Sequence, residues 1–198
     1  MVTSTDQFRT GATTPRLRAL VSAIREGVAE ANSPARRALL AGRQLQRYIC
    51  EPGLLTPHQC MGDRTGYRQH VLHVEPSGTF SLVALVWLPG QGTAVHDHVC
   101  WCVAGVHAGR EVEQRYRLSS APRGAQLLPV EHRVNAVGGV TAFAPPGDIH
   151  QVRNPGPGKA ISLHVYGTDI DQQGSSIRRI YTGYEDAPGP STPPAGPS

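Results

Sequence analysis

The chain has 198 residues, 39% of them hydrophobic, with 22 glycines, 17 prolines and a formal net charge of +4. That length suits one domain with a short extension, and the turn-rich composition suits many short strands more than a helical bundle. The basic residues are scattered with no face of interleaved aromatics, which argues against a nucleic-acid partner, and no apolar run approaches the ~18 residues of a membrane span.

Residues 1–13, rich in Thr and Ser, are expected to be loose. Residues 14–60 predict a helical extension. Thr14-Pro15 offers an N-cap followed by proline at the first helical position, and Leu17, Leu20, Val21, Ile24 and Val28 recur at helical spacing. Asn32-Ser33-Pro34 restarts the pattern, and Leu39, Leu40, Leu45, Tyr48 and Ile49 mark a second helix. From residue 61 to 185 the texture changes to short strands, predicted at 68–73, 80–88, 95–98, 100–106, 111–118, 130–137, 140–143, 149–152, 160–166 and 177–181. Strands at roughly ten-residue spacing argue for an all-β sandwich or barrel with the helices packed on it. Residues 186–198 are mostly Pro, Gly and Ser, lack an apolar period and are expected to be disordered.

Cys50, Cys60, Cys100 and Cys102 form neither a zinc-ribbon nor a disulfide framework. Residues 1–6 lack the apolar core of a signal peptide. These features suggest a reduced, cytoplasmic protein without membrane or nucleic-acid partners, monomeric or a small homo-oligomer. A mildly positive field favours a small anionic substrate.

The chemistry concentrates in two stretches. His96 and His98 stand at i, i+2, which on a strand puts both imidazoles on one face. His150 follows about fifty residues later, after the Pro145-Pro146-Gly147 turn. Three neutral nitrogen donors with no carboxylate at the fourth position make a facial metal site with open positions. Asp97, between the two ligands, is expected to point away and secure a neighbouring loop. Glu111 and Glu113 lie past the following turn and are not expected to ligate. The remaining histidines, His58, His70, His73, His107 and His132, read as surface or structural groups.

Gly90, His96, His98, Cys102 and Gly109, followed by Gly139, Pro145, Gly147, His150 and Asn154, have the spacing of the two signature motifs of the cupin superfamily. The chain resembles that superfamily, and the resemblance implies a small antiparallel β-barrel or jelly roll with a metal inside. Most cupins have a ligating Glu where Cys102 stands. Its replacement, together with Ser162-Leu163-His164-Val165-Tyr166, resembles the thiol dioxygenase branch that contains cysteine dioxygenase and 3-mercaptopropionate dioxygenase. This implies iron(II) held by His96, His98 and His150, with dioxygen as co-substrate. It also implies a Ser162–His164–Tyr166 relay beside the metal.

The substrate expected from the resemblance is a small carboxylate-bearing thiol of the cysteine or 3-mercaptopropionate type, oxidised to a sulfinate. Gln69 stands where cysteine dioxygenases carry a carboxylate-binding Arg, a feature shared with the mercaptopropionate-type enzymes. Arg68 would reach inward through a bulge, and Arg178 or Arg179 could hold the carboxylate from beyond Tyr166. Cys102 either joins Tyr166 in a thioether or packs as a buried thiol. Two other readings stand beside this one. One is a specialised-pathway oxygenase that rearranges the oxidised cysteine sulfur, for example to a sulfonamide. The other is a non-catalytic metal-binding sensor.

Overall fold

The computed structural model describes residues 7–9, 13–121 and 124–182. The Pro/Gly-rich tail expected at 186–198 lies outside the described residues. Helix α1 spans Pro15–Ala29 and α2 spans Pro34–Tyr48, each starting where the sequence signals it. The Thr14 hydroxyl accepts from the Leu17 N–H at 3.0 Å, and Ser33 caps α2 by accepting from Arg36 N–H. Each cap satisfies a donor that the first helical turn leaves unpaired.

Leu17, Leu20, Val21, Ile24 and Val28 of α1 are buried with Ala38, Ala41 and Leu45 of α2. Leu39, expected on that face, is instead 43% exposed. The buried stripe of α2 runs through 38, 41 and 45, and residue 39 falls one position round the helix from it. No helix among the described residues is long and apolar enough to cross a membrane.

The strands are β1 (Gln7–Arg9), β2 (Arg68–Val74), β3 (Ser81–Trp87), β4 (His96–His98), β5 (Cys102–Ala108) and β6 (Arg110–Ala121). They continue as β7 (Gly124–Ala136), β8 (Val140–Phe143), β9 (His150–Arg153), β10 (Ala160–Tyr166) and β11 (Ile177–Ile180). One sheet has the order β1-β2-β3-β10-β5-β8 and the other β11-β4-β9-β6-β7. Every pairing is antiparallel except the short parallel contact of β1 with β2. The two sheets form the small antiparallel barrel that the strand pattern suggested, with the helices packed on one sheet.

Period-two alternation divides β3 and β10 between two environments. Leu82, Ala84 and Val86 of β3 and Ile161, Leu163 and Val165 of β10 pack with the helices. Val83, Leu85 and Trp87 turn inward with Tyr166. Because both faces of these strands are covered, each reads as fully buried.

Three features depart from the expected strand map. Gln7–Arg9, inside the segment expected to be loose, form β1. The β6–β7 hairpin is longer than expected and stays paired out to Ala121 and Gly124. Leu127 and Tyr116, from its two strands, are both buried in one small cluster, which gives that extension an apolar reason. A short helix, α3 (Ile170–Gln173), occupies the loop after β10, its N–H groups capped by the Asp169 carboxylate.

Candidate metal centre and relay

β4 and β9 come together through the approach to β4. Thr93 N–H donates to Val152 C=O at 2.9 Å, and the Thr93 hydroxyl accepts from Val152 N–H at 3.1 Å. Gly92 makes this approach feasible, since a Cβ there would lie 2.6 Å from the Val152 carbonyl oxygen. His96 and His150 therefore sit opposite one another in register. His98, two residues on, shares the inward face with His96. One ligand atom from each of the three rings lies within 4.8 Å of the others, and all three residues are buried. Among the described residues no carboxylate joins this group.

The surroundings fix which nitrogen of each ring faces the centre. His96 Nδ1 lies 3.0 Å from the Ala94 carbonyl oxygen, His98 Nδ1 is 3.0 Å from Asp148 Oδ2, and His150 Nδ1 is 2.9 Å from Glu113 Oε1. A carbonyl oxygen only accepts, as does an ionised carboxylate, so each Nδ1 must be the donor. Each Nε2 is left with a free lone pair. His150 Nε2 is buried and has no hydrogen-bond partner. Burying such an atom unpaired is costly unless something binds there.

Burial first, and then the neighbouring imidazoles, hold His96 well below the usual histidine pKa range. Burial also lowers His98, against the raising effect of Asp148. Burial alone would raise the two orienting carboxyls. Hydrogen bonds from His98 outweigh it at Asp148, and the hydrogen bond from His150 together with the neighbouring Arg115 guanidinium, 3.1 Å from Oε1, bring Glu113 down to about 2. Neutral imidazoles oriented by ionised carboxylates are the donor set that a divalent transition metal requires.

Across the barrel, β10 presents Ser162, His164 and Tyr166 on one face. Ser162 Oγ lies 3.0 Å from His164 Nε2, and Tyr166 OH lies 3.3 Å from His164 Nδ1. Trp87 Nε1–H donates to Ser162 Oγ at 3.1 Å. The Tyr166 and His98 rings are 6.1 Å apart. Cys102 stands directly opposite Tyr166 in the β5–β10 register and is fully buried. Burial pushes its thiol pKa well up.

The three histidines, His164 and Tyr166 border a small cavity of about 50 Å³, also lined by Tyr67, Gln69, Trp87 and Ser176. Arg68, Arg178 and Arg179 are absent from that lining. Arg178 pairs with Asp97, and Arg179 lies over the Tyr181 ring. Asp97 also accepts from the Tyr181 hydroxyl at 2.8 Å, so it ties β11 and the residue after it to β4.

Sequence reasoning set aside Glu111 and Glu113 as past the turn and assigned nothing to Asp148. Glu113 and Asp148 do not ligate, yet they orient two of the three rings. The i, i+2 spacing of Glu111 and Glu113 marks one strand face. The β6–β9 pairing that aims this face at His150 has no local sequence signal.

A family model described as Cysteine dioxygenase type I matches residues 59–176, more than half of the chain. Solved structures with a similar arrangement include the TT1209 protein from Thermus thermophilus, at 21% identity and a TM-score of 0.42, covering 56% of this chain and 91% of that one. A Cupin 2 conserved barrel domain protein from Salinispora arenicola is 22% identical, with a TM-score of 0.39, over 61% of this chain and 92% of its own. An uncharacterized conserved protein with a double-stranded beta-helix domain from Klebsiella pneumoniae is 18% identical, with a TM-score of 0.43, over 60% of this chain and 92% of its own.

Proposed function

The chain belongs to the cysteine dioxygenase type I family, and on that premise we propose that it is an iron(II)-dependent thiol dioxygenase. It oxidises the sulfur of a small carboxylate-bearing thiol, of cysteine or 3-mercaptopropionate type, to a sulfinate with dioxygen. The observation that carries this reading is a centre of three neutral imidazoles without a carboxylate, facing an intact Ser162–His164–Tyr166 row. His96, His98 and His150 would hold the ion. Iron(II) bound there keeps its full positive charge, favours the thiolate form of a substrate and leaves coordination positions for substrate and dioxygen.

The remaining roles fall to the chain's own groups. Glu113, Asp148 and the Ala94 carbonyl hold the imidazoles in the metal-binding tautomer. Tyr166 offers its phenol at the cavity and His164 orients it. The substrate carboxylate is assigned to the neutral donors that line the cavity: Gln69 and the hydroxyls of Tyr67 and Ser176. This replaces the arginine anticipated from sequence, since Arg178 is occupied by Asp97. The Cα register of Cys102 against Tyr166 suits a thioether between them. The cysteines among the described residues are all free, which suits a reducing cytoplasm. The same reading has the protein act as a monomer or small homo-oligomer, without nucleic acid or membrane.

Oxygen uptake by the iron-loaded protein tests this directly, with cysteine, cysteamine, 3-mercaptopropionate and mercaptosuccinate as substrates. The expected result is uptake with at least one carboxylate-bearing thiol, and a product heavier than that thiol by two oxygen atoms. Absence of uptake with all four would refute the reading. A cysteine product lacking its carboxylate would replace the sulfinate with a rearranged sulfur species.

A further inference from the structure

Glu113 serves two donors with one oxygen. Its Oε1 accepts from His150 Nδ1–H at 2.9 Å and from Arg115 Nε–H at 3.1 Å. Arg115 stands directly opposite His150 in the β6–β9 register, so the two side chains leave their strands as neighbours. The Arg115 guanidinium also lies over the Phe143 ring, 5.5 Å from its centroid. Phe143 in turn packs against the rings of His98, at 5.2 Å, and His150, at 5.1 Å. One cation therefore bears on two of the three ligand rings, once through a carboxylate and once through an aromatic face. Arg115 is absent from the cavity lining, so it does not meet substrate.

We propose that Arg115 is a positioning residue that biases the iron held by His96, His98 and His150 toward the ferrous state. The proposal rests on the iron reading given above, whose chemistry starts from iron(II). Two effects act in the same direction. A fixed cation is repelled more by an ion of charge three than by one of charge two, so it opposes loss of an electron from the centre. Its hydrogen bond also takes a share of the lone-pair density on Glu113 Oε1. Glu113 then draws less on the His150 proton, and His150 is a less electron-rich ligand.

The charge is not cancelled from its far side. Glu131 Oε2 lies 3.7 Å from Arg115 Nη1, beyond hydrogen-bond distance, and Glu131 is itself paired with Arg133. The Arg115 side chain is 28% exposed, so water screens only part of its field.

The test uses the full chain loaded anaerobically with iron, without thiol, and held at one solution potential by soluble one-electron mediators, which take the electron released on oxidation. The high-spin ferric signal in electron paramagnetic resonance gives the ferric share. Arg115→Met is expected to raise the ferric-to-ferrous ratio by on the order of ten-fold. Arg115→Lys keeps the charge and should stay near the wild-type ratio. Zinc(II) affinity, by competition with a chelating dye, is a second readout: Arg115→Met should bind zinc at least as tightly as wild type, because a repelling charge is gone.

An unmoved ferric share in Arg115→Met overturns the proposal, as does an equal rise in Arg115→Lys, which marks lost fit rather than lost charge. Weakened zinc binding in Arg115→Met also overturns it, since the guanidinium then serves only to hold Glu113 in place. Should Arg115→Met fail to fold, Glu131→Gln decides at low ionic strength. Removing that counter-charge is expected to lower the ferric share, and a raised or unchanged share overturns the proposal. None of these measurements needs turnover. Iron that binds but is indifferent to residue 115 leaves the dioxygenase reading standing, whereas a wild type that holds no iron defeats both.

Discussion

The centre depends on groups that never touch the metal position. Glu113 and Asp148 each receive an Nδ1–H and so fix both the rotamer and the tautomer of a ligand ring. Replacing either with its amide leaves the shape nearly intact but removes the charge that strengthens the imidazole donor. Glu113→Gln and Asp148→Asn are each expected to weaken iron(II) or zinc(II) binding by roughly 10–100-fold, measured by competition with a chelating dye. The pKa of the Glu111 carboxyl shifts in the opposite direction. Its folded pKa, raised to about 7 by burial, lies above the unfolded value of ~4.3. The stability it contributes is full below the unfolded value and is lost as pH rises through about 7. Glu111→Gln removes that dependence. The variant should gain stability relative to wild type between about pH 5 and about pH 8, by on the order of 3 kcal/mol at the upper end. Denaturant titrations at the two pH values measure the difference; an equal gap at both would contradict it.

At the scale of elements, scaffold and site occupy opposite faces of the same strands. β10 turns Leu163 to the helices and His164 to the relay. Leu45 of α2 is fully buried, and a Cβ on Gly105 of β5 would meet it at 2.9 Å, so this helix sits directly on the sheet. Leu45→Ala should cost about 2–5 kcal/mol by denaturant unfolding while leaving the metal affinity of the folded protein unchanged. A matching loss of metal affinity would show that the two faces are coupled. The same division explains what the sequence disclosed. Helix starts were legible because Thr14-Pro15 and Ser33-Pro34 are local signals. The ligand pair was legible because His96-x-His98 needs only strand period. The partners of those ligands were not. Asp148 and Glu113 act through the tertiary approach of β9 to β4 and β6, and a pairing register leaves no mark in either strand alone. Arg178 was misplaced for a related reason: its partner Asp97 lies on β4, eighty-one residues earlier.

For the whole molecule, two sheets joined face to face bring metal ligands from one side and the relay from the other into a single small interior. β4 and β9 supply imidazoles, β6 supplies Glu111 and Glu113, and β10 supplies Ser162, His164 and Tyr166. Helices α1 and α2 cover the outer face of the six-stranded sheet and contribute no residue to the cavity lining. The central claim is that three imidazoles bind one ion and leave room for a thiol sulfur. X-ray absorption at the iron edge, before and after anaerobic addition of cysteine or 3-mercaptopropionate, tests it most directly. The expected spectra show imidazole scattering without a protein sulfur ligand, then one added sulfur scatterer at bonding distance with a thiol substrate. An unchanged coordination sphere with either thiol, or fewer than three imidazoles at the outset, would contradict it.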